Sequence, residues 1–247
     1  MKLFKGVIAA MAVATAAPAA AVGGLADLTV YDRTEGRRLQ VYWHQGRAYV
    51  AGKPGDEYQV SLRNRAGDEL LAIVSVDGVN AITGETASPS QSGYILAPRG
   101  AMDVLGWRKS LSETAAFYFT ALPDSYAART GRPDNVGVIG VALFRKKAER
   151  IAPIAPRPFR GDARSSAGAA AEAARPEAEL GTGHGRREAS YARYVDFERA
   201  TSSPAEVVTL YYDSYANLVA RGIVRETAPL TPSPHPRPFP GFVPDPA

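Results

Sequence analysis

The 247-residue chain contains no cysteine. That absence excludes a disulfide framework, a thiolate nucleophile, a cysteine-ligated zinc or iron–sulfur centre and the acylated cysteine of a bacterial lipoprotein. Histidine is nearly as scarce. His44, His184 and His235 stand alone, with no second histidine at helical or strand spacing, so no metal site is expected and no cofactor is implied. Ser-His-Asp catalysis would have to use His44 or His184, yet there is no Gly-x-Ser-x-Gly elbow, no Ser-x-x-Lys, no phosphate loop and no His-Glu-x-x-His. The residues therefore point away from an enzyme. Charge of one sign is also lacking. Of the formal +4, Lys2 and Lys5 supply two, and the remaining bases are spread among acids, with no stripe beyond Arg145-Lys146-Lys147, so nucleic acid is not an expected partner.

What is present begins with an address. Lys2 and Lys5 precede an uncharged run from Gly6 to Ala17, then Pro18 and Ala19-Ala20-Ala21. A charged head, an apolar stretch of about a dozen residues and a small-residue cleavage site predict a secretory signal peptide over 1–21, cleaved after Ala21. The run is too short for a span, which takes roughly 20 apolar residues, and no later stretch comes close to that length. No membrane span is expected after cleavage, and the predicted location is periplasmic or secreted.

Residues 27–147 alternate apolar and polar positions in short runs, with turn residues every eight to twelve positions. The pattern predicts a mainly β domain, an antiparallel β-sandwich (jelly-roll or Ig-like) of eight or nine strands. Leu39, Val41 and Trp43 alternate with polar or amphipathic neighbours and lead through His44-Gln45-Gly46 into a return strand. Tyr58, Val60 and Leu62 share one face, while Leu71, Ile73 and Val74 mark a strand covered on both. Further strands are expected at 93–96, 104–107, 115–120 and 136–144, with one helical turn at Ser125 to Arg129.

Beyond residue 147 the texture changes. Residues 148–180 hold few large apolar side chains and read as a disordered linker, and 229–247, with eight prolines, as a disordered Pro-rich tail. Between them, 181–228 reads as a strand-and-helix segment. Ser203, Pro204 and Glu206 resemble a capping box, and Val207, Val208, Leu210, Tyr211, Tyr215, Leu218 and Val219 follow at helical period until Gly222. One amphipathic helix of about 18 residues is expected over 204–221, with a short strand at 191–197 before it. An unpartnered stripe on that helix makes self-association through 204–221 one possible role.

Three constellations carry chemistry. Tyr94, Trp107, Arg108 and Lys109, with Trp43, Tyr42 and Tyr49 as other aromatics, place aromatic faces beside cations, a combination that stacks sugar rings or holds an acidic polymer, although tryptophan is more commonly a core residue and both tryptophans are expected to be core. Gly183, His184, Gly185 and Arg186, within the alternating glycines from Gly181, offer backbone N–H groups to an anion; close backbone approach to the sandwich or a flexible lead-in is the commoner use of such glycines. Asp77-Gly78 with Asn80, Thr83 and Glu85 concentrates oxygen ligands, but Asp-Gly after a strand is first a turn signal and the calcium-loop spacing is not met.

Val74 to Gly84 with Gln91 to Tyr94 and Gly106 to Arg108, together with Gly181 to Arg186 and Phe197 to Arg199, resembles a family of uncharacterised exported proteins of Gram-negative bacteria. The resemblance implies export and a two-part organisation, and brings no activity or site residue with it. The sequence therefore predicts an exported non-enzymatic binding or envelope-associated protein, its partner an envelope protein or glycan. Two alternatives stand beside it: a carbohydrate-active or other hydrolase with an unrecognised site near Tyr94 and Trp107, and a structural protein that self-assembles through its C-terminal helix.

Overall fold

The computed structural model describes residues 21–148 and 179–225. The expected signal peptide, linker and Pro-rich tail fall almost wholly outside these. In chain order the strands are β1 (Ala26–Asp32), β2 (Arg37–Arg38), β3 (Val41–His44), β4 (Arg47–Gly52), β5 (Glu57–Asn64), β6 (Leu70–Val76) and β7 (Val79–Asn80). Then come β8 (Tyr94–Leu96), β9 (Ala101–Val104), β10 (Gly106–Arg108), β11 (Glu113–Ala121), helix α1 (Tyr126–Arg129), β12 (Val138–Arg145), β13 (Leu180–Ala189), β14 (Glu206–Ser214) and helix α2 (Tyr215–Ala220). None of the described helices is long and apolar enough to cross a membrane.

The protein is mainly β, and its strands form two sheets. One runs β10-β11-β5-β1-β2, with β13 on β11 and β9 on β5; the other runs β3-β4-β14-β12-β6-β7, with β8 on β6. Pairing is antiparallel except for β14, which lies parallel to β4. Period-two patterning creates the interface between the sheets. Tyr58, Val60 and Leu62 of β5 meet Val50, Val74, Ile139 and Leu210 of the opposite sheet in one core, while Gln59 and Ser61 turn outward. The expected two-sided burial of β6 is found. Leu70, Ala72, Val74 and Val76 face the core, and Leu71 and Ile73 form an outer cluster with Phe144 that Phe197 covers. Arg199 seals that cover, its guanidinium 4.4 Å above the Phe144 ring and hydrogen-bonded to the carbonyls of Pro89 and Gln91.

The C-terminal segment departs from its prediction. Residues 206–214 are a strand, and only Tyr215–Ala220 is helical. Val207, Val208, Thr209, Tyr211 and Tyr212 are β-branched or aromatic, types that lose rotamer freedom in a helix and pack well on a pleated surface. Their spacing fits both periods, and the open gap between β4 and β12 selects the extended one: Val208, Leu210 and Tyr212 enter the core. The helix cap is Ser214 rather than Ser203, its hydroxyl accepting from Asn217 N–H. Glu206 accepts instead from the N–H groups of Gly24 (2.7 Å) and Leu25 (2.6 Å). Residues 191–197 form no strand, and Tyr191 and Tyr194 lie exposed. The glycine-rich segment at 181–186 is part of β13, paired along β11. Close approach explains its glycine at 183: a Cβ there would lie 2.1 Å from Cζ of Tyr118.

A polar chain crosses the core. Asp77 and Gly78 turn β6 into β7 with φ of 52° and 71°, and the turn points the Asp77 carboxylate inward, where the residue is 1 % exposed. Oδ1 accepts from Gly137 N–H (2.9 Å) and the Tyr212 hydroxyl (2.5 Å); Oδ2 accepts from Thr182 N–H (2.7 Å). Since the Tyr212 proton goes to Asp77, the Thr182 hydroxyl (2.7 Å) donates to Tyr212, and the Tyr58 hydroxyl (2.5 Å) donates to Thr182. Tyr58 and Thr182 come from one sheet, Tyr212 and Asp77 from the other. Burial drives the Asp77 carboxyl up to about 6 against the pull of its hydrogen-bond donors, led by Tyr212. Burial also raises both tyrosines, and the Asp77 charge adds to it.

Replacing Asp77 by Asn keeps the acceptor for Gly137 and Tyr212 but sets an NH2 against Thr182 N–H. The expected loss, read by urea denaturation at neutral pH, is about 1–3 kcal/mol. A carboxyl raised in the folded state favours folding fully below its unfolded value near 3.8 and loses that contribution as pH climbs through about 6. The stability of the wild type minus that of Asp77→Asn should accordingly fall by about 2 kcal/mol between pH 4 and 7. A flat difference across that range would contradict the assignment.

Candidate ligand-binding face

The outer face of the sheet that holds β3, β4 and β14 carries a row of tyrosines fixed by register. Tyr42 lies opposite Tyr49, and Tyr49 opposite Tyr211. The Tyr49 and Tyr211 rings are 5.4 Å apart, with the Arg47 guanidinium 5.6 Å from Tyr211 and that of Arg221 5.7 Å from Tyr49. Asp213 orients Arg221 (3.3 Å) and accepts from Asn217 (2.8 Å), holding α2 in place. One end of the row is thereby roofed: Leu218, Ile223 and Val224 pack on Tyr49. The other end is open.

At the open end, where the sheet stops, the surface is concave, lined by Arg47, Val207, Thr209 and Tyr211 of the outer face together with Trp43, which register places opposite Ala48 on the core side, and with Gly23 at its edge. Trp43 is 57 % exposed and Val207 60 %. The expectation that both tryptophans are core fails for Trp43, because β3 is the outermost strand of its sheet and its tip projects past the core. The concavity follows from the strand register. β4 begins to pair with β14 at Ala48 and Leu210, so, among the described residues, 206–209 of β14 have a strand neighbour only in β12. A short length of sheet edge, flanked by an indole, a phenol ring and a guanidinium, faces outward.

The residues singled out by sequence scatter. Trp107 is 3 % exposed; its ring meets Phe117 edge-on (5.0 Å) and its N–H donates to the Gly183 carbonyl (3.1 Å), so no ring face is left to stack on a ligand. Tyr94 and Arg108 do meet, guanidinium to ring at 6.0 Å, but Arg108 is anchored to the carbonyl (2.5 Å) and hydroxyl (3.0 Å) of Ser190. The Gly183 and Gly185 region is spent on the β11 ladder, and Arg186 turns to Glu57 (2.8 Å). His184 alone lines a hollow, with Tyr126, Arg129 and Thr130, its ring 5.7 Å from that of Tyr126. Partial burial holds its imidazole below the ordinary value, and Lys109 and then Arg187 and Arg129 push the same way. Lys109 and His184 thus approach each other from two separate sequence groups.

Asp77 and Tyr212, the most perturbed polar pair, are enclosed by the core, so their chemistry is structural. Sequence reasoning counted Trp43, Tyr42 and Tyr49 only as further aromatics beside the Trp107 group and passed over Arg47; the one available signal for a separate site was the position of an aromatic next to the His44-Gln45-Gly46 turn. Comparison with models of known protein families, with characterised proteins and with solved structures finds no match to the chain.

The two tryptophans separate sharply in an alanine test. Trp43→Ala should change stability by no more than about 0.5 kcal/mol, as for other surface positions, whereas Trp107→Ala should cost about 3–5 kcal/mol. Chemical denaturation of both variants measures the contrast.

Proposed function

We propose that the chain is an exported, non-enzymatic binding protein, a β-sandwich of the jelly-roll or immunoglobulin-like kind, that takes an extended segment of a protein partner at the Trp43–Arg47–Tyr211 face. The observation that carries this reading is the exposed Trp43 beside the stretch of β14 whose edge no strand among the described residues covers. Free sheet edges recognise peptides by adding a strand, with main-chain hydrogen bonds supplying affinity and alternate side-chain pockets supplying specificity. Trp, Tyr and Arg are the residue types enriched at the centres of such interfaces. Arg47 makes no salt bridge among the described residues, which favours an acidic side chain in the bound segment. Export rests on the N-terminal pattern. In support, Val22, the residue that cleavage after Ala21 would expose, is already part of the fold, bonded to Leu28 through both its N–H (3.0 Å) and its carbonyl (2.8 Å).

Self-assembly through 204–221 receives less support, since Val208, Leu210, Tyr212 and Leu218 are used inside the fold. A peptide library displayed on phage and panned against the full chain tests the proposal. Extended apolar peptides with an acidic residue should be enriched, and Trp43→Ala or Arg47→Ala should weaken their binding at least tenfold. Binding indifferent to both changes would remove the face from consideration. Turnover on peptidoglycan, polysaccharide or ester substrates that is lost on changing His44 or His184 would overturn the non-enzymatic reading.

A further inference from the structure

Two loops bring three carboxylates together. Asp32 ends β1 and Glu35 follows in the turn to β2, while Asp56 lies in the crossover from β4 in one sheet to β5 in the other. Asp32 Oδ1 accepts from Thr34 N–H (2.9 Å) and Glu35 N–H (2.8 Å), which folds the turn back over the Asp32 side chain. One oxygen of each of Asp32, Glu35 and Asp56 lies within 4.8 Å of the other two. Asp32 is 2 % and Asp56 6 % exposed.

Carboxylates buried this closely repel one another unless a cation lies between them. The protein's own cations meet that need incompletely. Arg37 binds Glu35 from the outside (2.6 Å), at the exposed rim. Lys53 is an exposed side chain whose ammonium stands 3.5 Å from Glu35 and 3.7 Å from Asp56, the latter beyond hydrogen-bond reach. Asp56 Oδ2 is left fully buried with no hydrogen-bond partner. A buried carboxylate oxygen without a donor costs several kcal/mol in general and contrasts with the buried carboxylate of Asp77, both of whose oxygens accept hydrogen bonds.

We infer that Asp32, Glu35 and Asp56 form a calcium site, in which the ion takes the place the Lys53 ammonium half fills. The donor set is all oxygen and anionic, which suits a hard cation. Coordination geometry selects among these. Ca2+ accepts six to eight oxygens at 2.3–2.6 Å in flexible arrangements, which suits three side-chain oxygens lying within 4.8 Å of one another and completed by water, whereas Mg2+ demands a near-ideal octahedron. Three carboxylates, one of them on a half-exposed turn, with water completing the shell, place the affinity in the range of extracellular modules, a Kd of about 10⁻⁴–10⁻³ M. The ion would join the β1–β2 turn of one sheet to the crossover that arrives from the other.

The test uses the full chain, stripped with chelator, in calorimetric titrations and thermal melts with CaCl2 or MgCl2 at constant ionic strength. Wild type should bind Ca2+ with that affinity and gain about 3–6 °C in Tm at 10 mM CaCl2, with Mg2+ at least tenfold weaker. Asp56→Asn should abolish the response, and Lys53→Met, which removes the competing ammonium and leaves all three ligands, should tighten Ca2+ binding several-fold. Absence of a calcium response in wild type, an equal response to Mg2+, or a response that survives both Asp32→Asn and Asp56→Asn would overturn the site. If Asp56→Asn fails to fold, Lys53→Met decides: a folded variant that binds no Ca2+ shows that the Lys53 ion pair is the cluster's entire role.

Discussion

Segments far apart in the sequence converge on one buried charge. The Asp77 carboxylate collects donors from the start of β12, from β13 and from β14, and through Thr182 and Tyr212 it also holds Tyr58 of β5. An apolar core specifies that two sheets touch; it is tolerant about where, because methyl groups slide past one another at little cost. Hydrogen bonds among buried groups are intolerant, since each broken one strands a donor or acceptor away from water. The Asp77 chain thereby sets the offset of one sheet on the other. Its hydrogen bonds also offset the cost that burial imposes on the ionised form of Asp77.

That offset determines the surface. With β14 held by Tyr212 in the core, its first residues run past the beginning of β4, and the outer tyrosines fall into register with Arg47 and Arg221 at either end. Trp43 is left outside because β3 is the last strand of its sheet. A slip of one residue in β14 would bury Tyr211 and expose Tyr212, exchanging the face for the core anchor.

The β character, the two-sided burial of β6, the Gln45-Gly46 turn and the Ser125 helical turn were legible in sequence because each is local: alternation, an apolar run, a turn pair, a cap. The strand at 206–214 was not. Val207, Val208 and Leu210 satisfy a period of 3.6 as readily as a period of 2, and the deciding fact, a vacant position between β4 and β12, lies more than 60 residues away in the chain. The glycines at 181–186 were legible as close-approach residues but not as a strand, since their partner ring, Tyr118, belongs to β11. Site residues fared worst. Trp107 looked available beside Arg108 and Lys109 because its burial depends on Phe117 and the Gly183 carbonyl, and the gathering of Asp32, Glu35 and Asp56 depends on two loops meeting.

The parallel pairing of β14 with β4 has a consequence for the order of assembly. β14 is among the last described parts of the chain, yet it occupies an inner position, flanked by strands made well before it. Until residues 206–214 emerge, β4 and β12 each present an unpaired edge and half of the sandwich has no closed sheet. Contacts of such long sequence separation are slow to form, because the loop entropy is spent before the pairing repays it. Synthesis of residues 206–214 therefore acts as a clock: the sheet stays split between β4 and β12 and locks when this last described strand arrives.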